Sequence, residues 1–283
     1  MPIVTFWTEI EKEIGQTSSA IAVATQMAME HNNKILLLTT NNVNELKGAF
    51  WKKSDEIKRQ GLFNSLRQNH AQVGINNGMS GIVMAMSSNR LMPEQIANYT
   101  KTVFKGRLEV LAGVGIAEED YRKDILGKYP ELIKKASLYY DYVFVDLNKE
   151  SNSIVDEILD NSTIIAYGIN QKNGNLEKFI KSEEDGFLKG KENVIPYIGR
   201  YDRFSKYSSK NIVRTLRIKK LSVVPYNTLF AESCDEGVAA EYFMKMSTIT
   251  GPDRNIDFVN DVRAFVDAIL YKEQELKMNY GKN

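Results

Sequence analysis

Short unbroken apolar runs alternate along this chain with longer stretches in which apolar and polar residues mix. That alternation predicts a parallel sheet layered with helices. Residues 3–7 (IVTFW) are a β-rich apolar run that reads as a buried strand. A polar stretch containing Gly15 follows. Residues 18–29 (SSAIAVATQMAM) are then rich in alanine and small side chains, as expected of a helix packed closely on a sheet. Residues 34–38 (KILLL) read as a second buried strand, which completes a βαβ unit. The rhythm continues with helices predicted over 62–69, 93–104, 131–139, 154–159, 176–181, 237–245 and 257–276, Pro93 lying where helices start. Strands are predicted over 108–111, 142–147 (YVFVDL), 162–169, 194–198 and 221–224. The hydrophilic stretch 181–193 is expected to be a surface loop. With no internal repeat and no low-complexity linker, the pattern predicts one doubly wound α/β domain over residues 1–283, with 255–280 as a C-terminal helix. Ligands of such sheets sit at the carboxyl ends of the strands.

Composition narrows the class. The 283 residues are 43% hydrophobic and 26% charged, and 37 Lys and Arg stand against 36 Asp and Glu, a net charge of +1. A chain of this size buries about three quarters of its unfolded surface, so it needs no covalent staple. Near-neutral charge argues against a globally basic nucleic-acid binder, though it leaves room for a local patch. The single cysteine, Cys234, excludes an intramolecular disulfide, and with two histidines it argues against a Cys/His metal cage. No run reaches the roughly 18 uncharged apolar residues of a membrane span. Glu9, Glu11 and Glu13 do not suit the positive start of a signal peptide. A cytoplasmic protein is expected.

The first strand-to-helix turn, residues 11–18 (EKEIGQTS), has the place and length of a phosphate-binding loop, in which backbone N–H groups and a helix N-terminus hold an anion. Here the sequence resembles the ParA and MinD family, whose loop reads K-G-G-x-G-K followed by two Ser or Thr residues. Residues 34–42 (KILLLTTNN) resemble the family's second strand, and residues 139–147 (YYDYVFVDL) its Walker B strand, with Asp146 as the magnesium-associated acid. GLFNSLRQN, LMPEQIANYT, GRLEVLAGV, STIIAYGINQKNGNLEKF, VIPYIGRYD and VPYNTLFAESCDEGVAAEYF resemble its pilus-assembly branch, TadZ or CpaE. These pieces follow family order from residue 3 to about residue 245. The resemblance implies the MinD/ParA type of P-loop fold.

The departures from the family are chemical. Its final loop glycine is Gly15, followed by Thr17 and Ser18, but its P-loop lysine falls on Gln16 and its signature lysine on Glu11. The two preceding glycines fall on Lys12 and Glu13. The second-strand acids fall on Thr39 and Asn41, the latter at the water-positioning place, and the adenine-reading asparagine falls on Gly199. Phosphoryl transfer rests on charge stabilisation and positioning, so these losses predict a site without efficient ATP hydrolysis. One glutamate 4–6 Å from a phosphate charge costs about 3–4 kcal/mol at an effective dielectric of 20. No cofactor is expected. If ATP or ADP with Mg²⁺ is retained, Lys12, Gly15, Gln16, Thr17, Ser18 and Asp146 are the nucleotide-binding positions, Asp146 acting through a metal-bound water. Otherwise EKEIGQTS is an ordinary loop with Thr17 or Ser18 satisfying helix-end donors, and Asp146 is a buried acid bonded to one of them.

Three further features bear on function. Residues 199–220 hold Arg200, Arg203, Lys206, Lys210, Arg214, Arg217, Lys219 and Lys220 against one acid, Asp202. The first expectation is a solvated helix whose Ile212, Leu216 and Ile218 face the sheet, ahead of a protein-partner or acidic-membrane surface, with DNA third. The last helix places Val259, Val262, Phe265, Val266, Ile269 and Leu270 on one stripe. Because Asp257, Asp261 and Asp267 replace the lysine-rich polar face of a membrane anchor, core packing is expected. Trp7, Trp51, Met79, Met84 and Met86 are expected as core or interface filler, and Cys234 as a small packing residue.

The resemblance therefore implies a pseudo-ATPase-like scaffold or localisation factor for assembling a pilus or secretion machine at the cell envelope. A homodimer, or a heterodimer with an active relative, is expected at the inner face of the membrane. The family's N-terminal receiver-like domain is expected to be missing, because the first strand begins at residue 3. The competing functions are a slow nucleotide-switch ATPase and a nonspecific DNA-binding partition factor.

Overall fold

A computed structural model describes residues 1–9, 14–41, 43–52, 78–88, 91–113, 125–148, 153–251 and 253–280. The predicted helix over 62–69, together with Glu11, Lys12 and Glu13, lies outside the described residues. Eight strands form one sheet in the order β3-β4-β2-β5-β1-β6-β7-β8. They are β1 (Ile3–Trp7), β2 (Ile35–Thr39), β3 (Lys101–Phe104), β4 (Leu108–Leu111), β5 (Tyr142–Asp146), β6 (Ile164–Ile169), β7 (Val194–Tyr201) and β8 (Ser222–Pro225). Every pairing is parallel except β3 with β4. The central strands β1, β2, β5 and β6 are buried at every position, which is why they read as unbroken apolar runs.

The helices are α1 (Gln16–Glu30), α2 (Val43–Phe50), α3 (Gly78–Ser87), α4 (Tyr129–Ala136), α5 (Ser153–Asp160), α6 (Asn173–Asp185), α7 (Ser209–Leu216), α8 (Thr228–Asp235), α9 (Ala239–Met246) and α10 (Arg254–Tyr280). The alanines and serine of α1 let it lie deep between the sheet and α10, with Ala20, Ala22, Val23, Ala24 and Ala28 fully buried. The predicted stripe of α10 is core: Val262, Phe265, Val266 and Ile269 are fully buried. Phe265 meets Phe6 and Tyr197 at ring-centroid distances of 5.9 and 5.2 Å, which joins α10 to β1 and β7. Arg263 of α10 also donates to both carboxylate oxygens of Glu30 at 2.8 and 2.9 Å.

Several sequence expectations are corrected. Residues 93–104 are a 3-10 turn, Pro93–Tyr99, and then strand β3, because Thr102 and Phe104 pair with Glu109 and Leu108 of β4. The predicted surface loop 181–193 begins as helix, since α6 runs to Asp185. Of the expected core or interface fillers, Met79, Met86 and Trp7 are buried in the core, and Met84 is 58% exposed, which leaves it only the interface alternative. Helices α2, α3 and α8 lack a prediction, being short and without a clean apolar period.

Candidate functional site at the carboxyl ends of the strands

Asp146 ends β5, register-paired with Phe6 of β1 and Thr39 of β2, so it occupies the centre of the sheet's carboxyl edge. It is fully buried. Its Oδ1 accepts from Gln16 Nε2 at 2.7 Å, and its Oδ2 accepts from Thr17 Oγ1 at 2.8 Å, Thr39 Oγ1 at 2.9 Å and Asn41 Nδ2 at 3.2 Å. Gln16 also donates from Nε2 to the Leu147 carbonyl at 2.8 Å. One carboxylate thus ties α1, β2 and the loop after β2 to β5. The expected bond to Thr17 is present, but Ser18 donates instead to the Gly15 carbonyl at 2.9 Å. The expected side-chain cap of α1 is absent: Gly15, at φ 64°, is the N-cap and neither Thr17 nor Ser18 fills that role.

The described part of the loop holds Asp146 with the chain's own donors. Oδ2 is crowded by three donors, Thr17, Thr39 and Asn41, whereas Oδ1 accepts from Gln16 alone. Gln16 occupies the lysine position with a neutral carboxamide that turns down onto Asp146 and Leu147. Its Oε1 is buried without a hydrogen-bond partner. No cluster of His, Cys, Asp and Glu suited to a metal occurs among the described residues.

Beside this lock the loop is pressed onto the sheet. Ile14 is 1% exposed. A Cβ on Gly199 would stand 1.9 Å from the Ile14 carbonyl oxygen, and one on Gly168 would stand 2.9 Å from Ile14 Cγ2. Two strand glycines thus make the seat for Ile14, so Gly199 has a packing reason for carrying no side chain. Burial, then the Asp146 charge, raises the Tyr197 phenol well above its ordinary range.

The site opens into a cleft of about 990 Å³ lined by Gly15, Gln16, Thr17, Ser18, Asn41 and Arg200 on one side, and by Tyr226, Phe230 and Cys234 on the other. Arg200 is a contributor that sequence position alone assigned to the basic segment. It sits at φ 51°, and its Cγ and Nε would lie 3.0 and 3.2 Å from a Cβ on Gly15. Arg200 therefore brings a cation beside Gly15 at the mouth of the cleft. Burial, then Asp235, pushes the Cys234 thiol up to about 12. Its alkylation by iodoacetamide at pH 8 is expected to run roughly 100-fold or more slower than that of a free cysteine. The rate should still be rising at pH 11, and a plateau near pH 9 would show an exposed, ordinary thiol.

The remaining basic residues separate. Arg203 is paired with Asp257 at 3.2 Å and Asp261 at 3.3 Å on α10. Ile212 and Leu216 are buried, and Ile218 packs partly against the core, as expected of a solvated helix. Lys206, Lys210 and Arg214 are exposed, and Arg217 ends α7 at φ 55°. A larger cleft of about 1270 Å³ lies at the opposite end of the sheet, lined by Pro2, Asp141 and Thr163. Its buried carboxylate, Glu273, is taken by the Tyr142 hydroxyl and Lys277.

No protein-family model and no curated protein sequence matches the chain. Its architecture matches solved structures instead. A ParA family ATPase from Chlorobium tepidum TLS superposes with a TM-score of 0.65 at 14% identity, covering 94% of this chain and 98% of that one. The septum site-determining protein MinD complexed with Mg-ADP from Pyrococcus horikoshii OT3 gives 0.63 at 13%, covering 96% and 98%. A chain of the MinC:MinD cell division complex of Aquifex aeolicus gives 0.60 at 13%, covering 94% and 96%. The eight-stranded, mostly parallel sheet with its flanking helices is the ParA/MinD P-loop fold.

Proposed function

We propose that this chain is a ParA/MinD-type protein whose nucleotide site has become a structural lock. In this reading it serves as a scaffold or localisation factor for a pilus or secretion machine at the cell envelope, as its resemblance to TadZ and CpaE suggests. The carrying observation is Asp146: the acid that relatives associate with magnesium here accepts four hydrogen bonds from Gln16, Thr17, Thr39 and Asn41. A switch needs a ligand that favours one state over another, and here the chain's own side chains hold the elements that a nucleotide would organise. The expected partner is a second copy or an active relative, with pilus or secretion proteins bound in either case.

A nucleotide-switch reading has one observation in its favour, the Arg200 side chain lying over Gly15 without an ion pair among the described residues. Genetic complementation separates the two. Deleting the gene should abolish assembly of the pilus or secretion machine, and Arg200→Ala should restore it to the wild-type level. Normal assembly in the deletion strain removes the scaffold role. Rescue by the wild type alone would favour the switch.

A further inference from the structure

We propose that the loop between β7 and α7 is a docking knob for an anionic lipid surface, with Phe204 entering the acyl boundary and Lys206, Lys210 and Arg214 facing the headgroups. The proposal goes beyond the locked-site reading and does not depend on whether nucleotide binds.

Phe204 is 92% exposed, more than any other large hydrophobic side chain among the described residues. A single exposed apolar residue is ordinary. What distinguishes Phe204 is how firmly the chain holds it out. The Asp202 carboxylate accepts the Phe204 N–H at 2.9 Å. Gln171 clamps the loop from the next strand end, donating to the carbonyls of Asp202 at 2.9 Å and Tyr207 at 2.8 Å and accepting the Asp202 N–H at 2.7 Å. Arg203 is fixed by Asp257 and Asp261, and Asn211 donates to the Lys206 carbonyl at 3.0 Å. A knob ordered in advance loses little conformational entropy on docking.

The segment after β8, into the start of α8, adds apolar surface at the same edge of the sheet. Tyr226, 61% exposed, donates its N–H to the Tyr201 carbonyl at 3.2 Å, and Leu229 is 44% exposed.

Charge decides which occupant fits. Residues 199–220 carry eight basic side chains against one acid. Asp202 turns its carboxylate back onto the loop, and Arg203 offsets one of the two α10 carboxylates it meets, Asp257 and Asp261, which leaves the segment's remaining basic side chains in excess. Lys206, Lys210 and Arg214 have no ion pair among the described residues, so the knob stands in a positive field that an anionic surface complements. Phe204 projects from a turn and lines neither cleft. A deformable lipid surface can close around such a projection, whereas a bound peptide needs a groove wall.

The test is co-sedimentation of the full chain with vesicles of phosphatidylcholine containing about one third phosphatidylglycerol, against pure phosphatidylcholine. Binding is expected only to the anionic vesicles and should weaken with salt. Phe204→Ser should weaken it about tenfold, and Lys206→Gln and Lys210→Gln about fivefold each, with unchanged melting temperatures. In Phe204→Trp the added indole should shift to the blue and be quenched by brominated acyl chains. Three results would overturn the proposal: equal binding to neutral vesicles, wild-type binding by Phe204→Ser, or no vesicle binding. The last, with salt-sensitive binding to a DNA oligonucleotide, would reassign the knob to nucleic acid.

Discussion

Asp146→Ala is expected to destabilise the protein by about 3–5 kcal/mol, an unusually large loss for one side chain at the mouth of a cleft. The variant removes the common acceptor of Gln16, Thr17, Thr39 and Asn41. Hydroxyls can turn to other acceptors, but the Gln16 carboxamide is 6% exposed and its Oε1 is already without a partner, so that end of the lock has little to exchange for. For a chain of this length each kcal/mol moves the melting temperature about 2–4 °C, so a fall of about 10 °C is expected by calorimetry. A binding-site acid kept for its ligand behaves in the opposite way, because removing an uncompensated buried charge relieves strain. An Asp146→Ala protein that melts at or above the wild-type temperature would therefore show that Asp146 is not locked.

Gly199→Ala is the second large effect. Its added Cβ would meet the Ile14 carbonyl at 1.9 Å, and the obstacle is backbone. Either the loop lifts from β7 or the strand bends, at a cost of about 3 kcal/mol. Because Ile14 precedes the left-handed Gly15 that starts α1, the displacement should reach the Gln16–Asp146 contact as well. Combined with Asp146→Ala it should cost less than the two separately, since both act on one loop. Gly199→Ala unfolding within about 0.5 kcal/mol of wild type would mean that the loop does not rest on β7 in solution.

The sheet was legible because its central strands are buried on both faces and so appear as uninterrupted apolar runs, YVFVD above all. Strand β3 was not, because its β-prone Thr102, Val103 and Phe104 form a run of only four residues with Lys101, directly after the turn that Pro93 begins. The Asp146–Thr17 bond followed from placing an acid at the end of a buried strand opposite a hydroxyl at a helix start. The turn of Gln16 onto Asp146 did not follow, since a glutamine in a lysine position says what is lost and not where its amide goes. Arg200 was assigned to a basic surface because its neighbours in sequence are basic. Its left-handed backbone, which aims it away from them toward Gly15, leaves no mark in composition. The nearest sequence signal was Gly199 itself, a glycine inside a strand, which points to another backbone passing close by.

The most direct measurement is equilibrium binding of ATP and ADP to the purified chain with Mg²⁺, by calorimetry. With Asp146 held by Gln16, Thr17, Thr39 and Asn41, the proposed lock predicts no binding up to about 1 mM nucleotide, with or without the metal. Micromolar binding that requires Mg²⁺ and disappears in Arg200→Ala would contradict the lock and make the cleft a working nucleotide site.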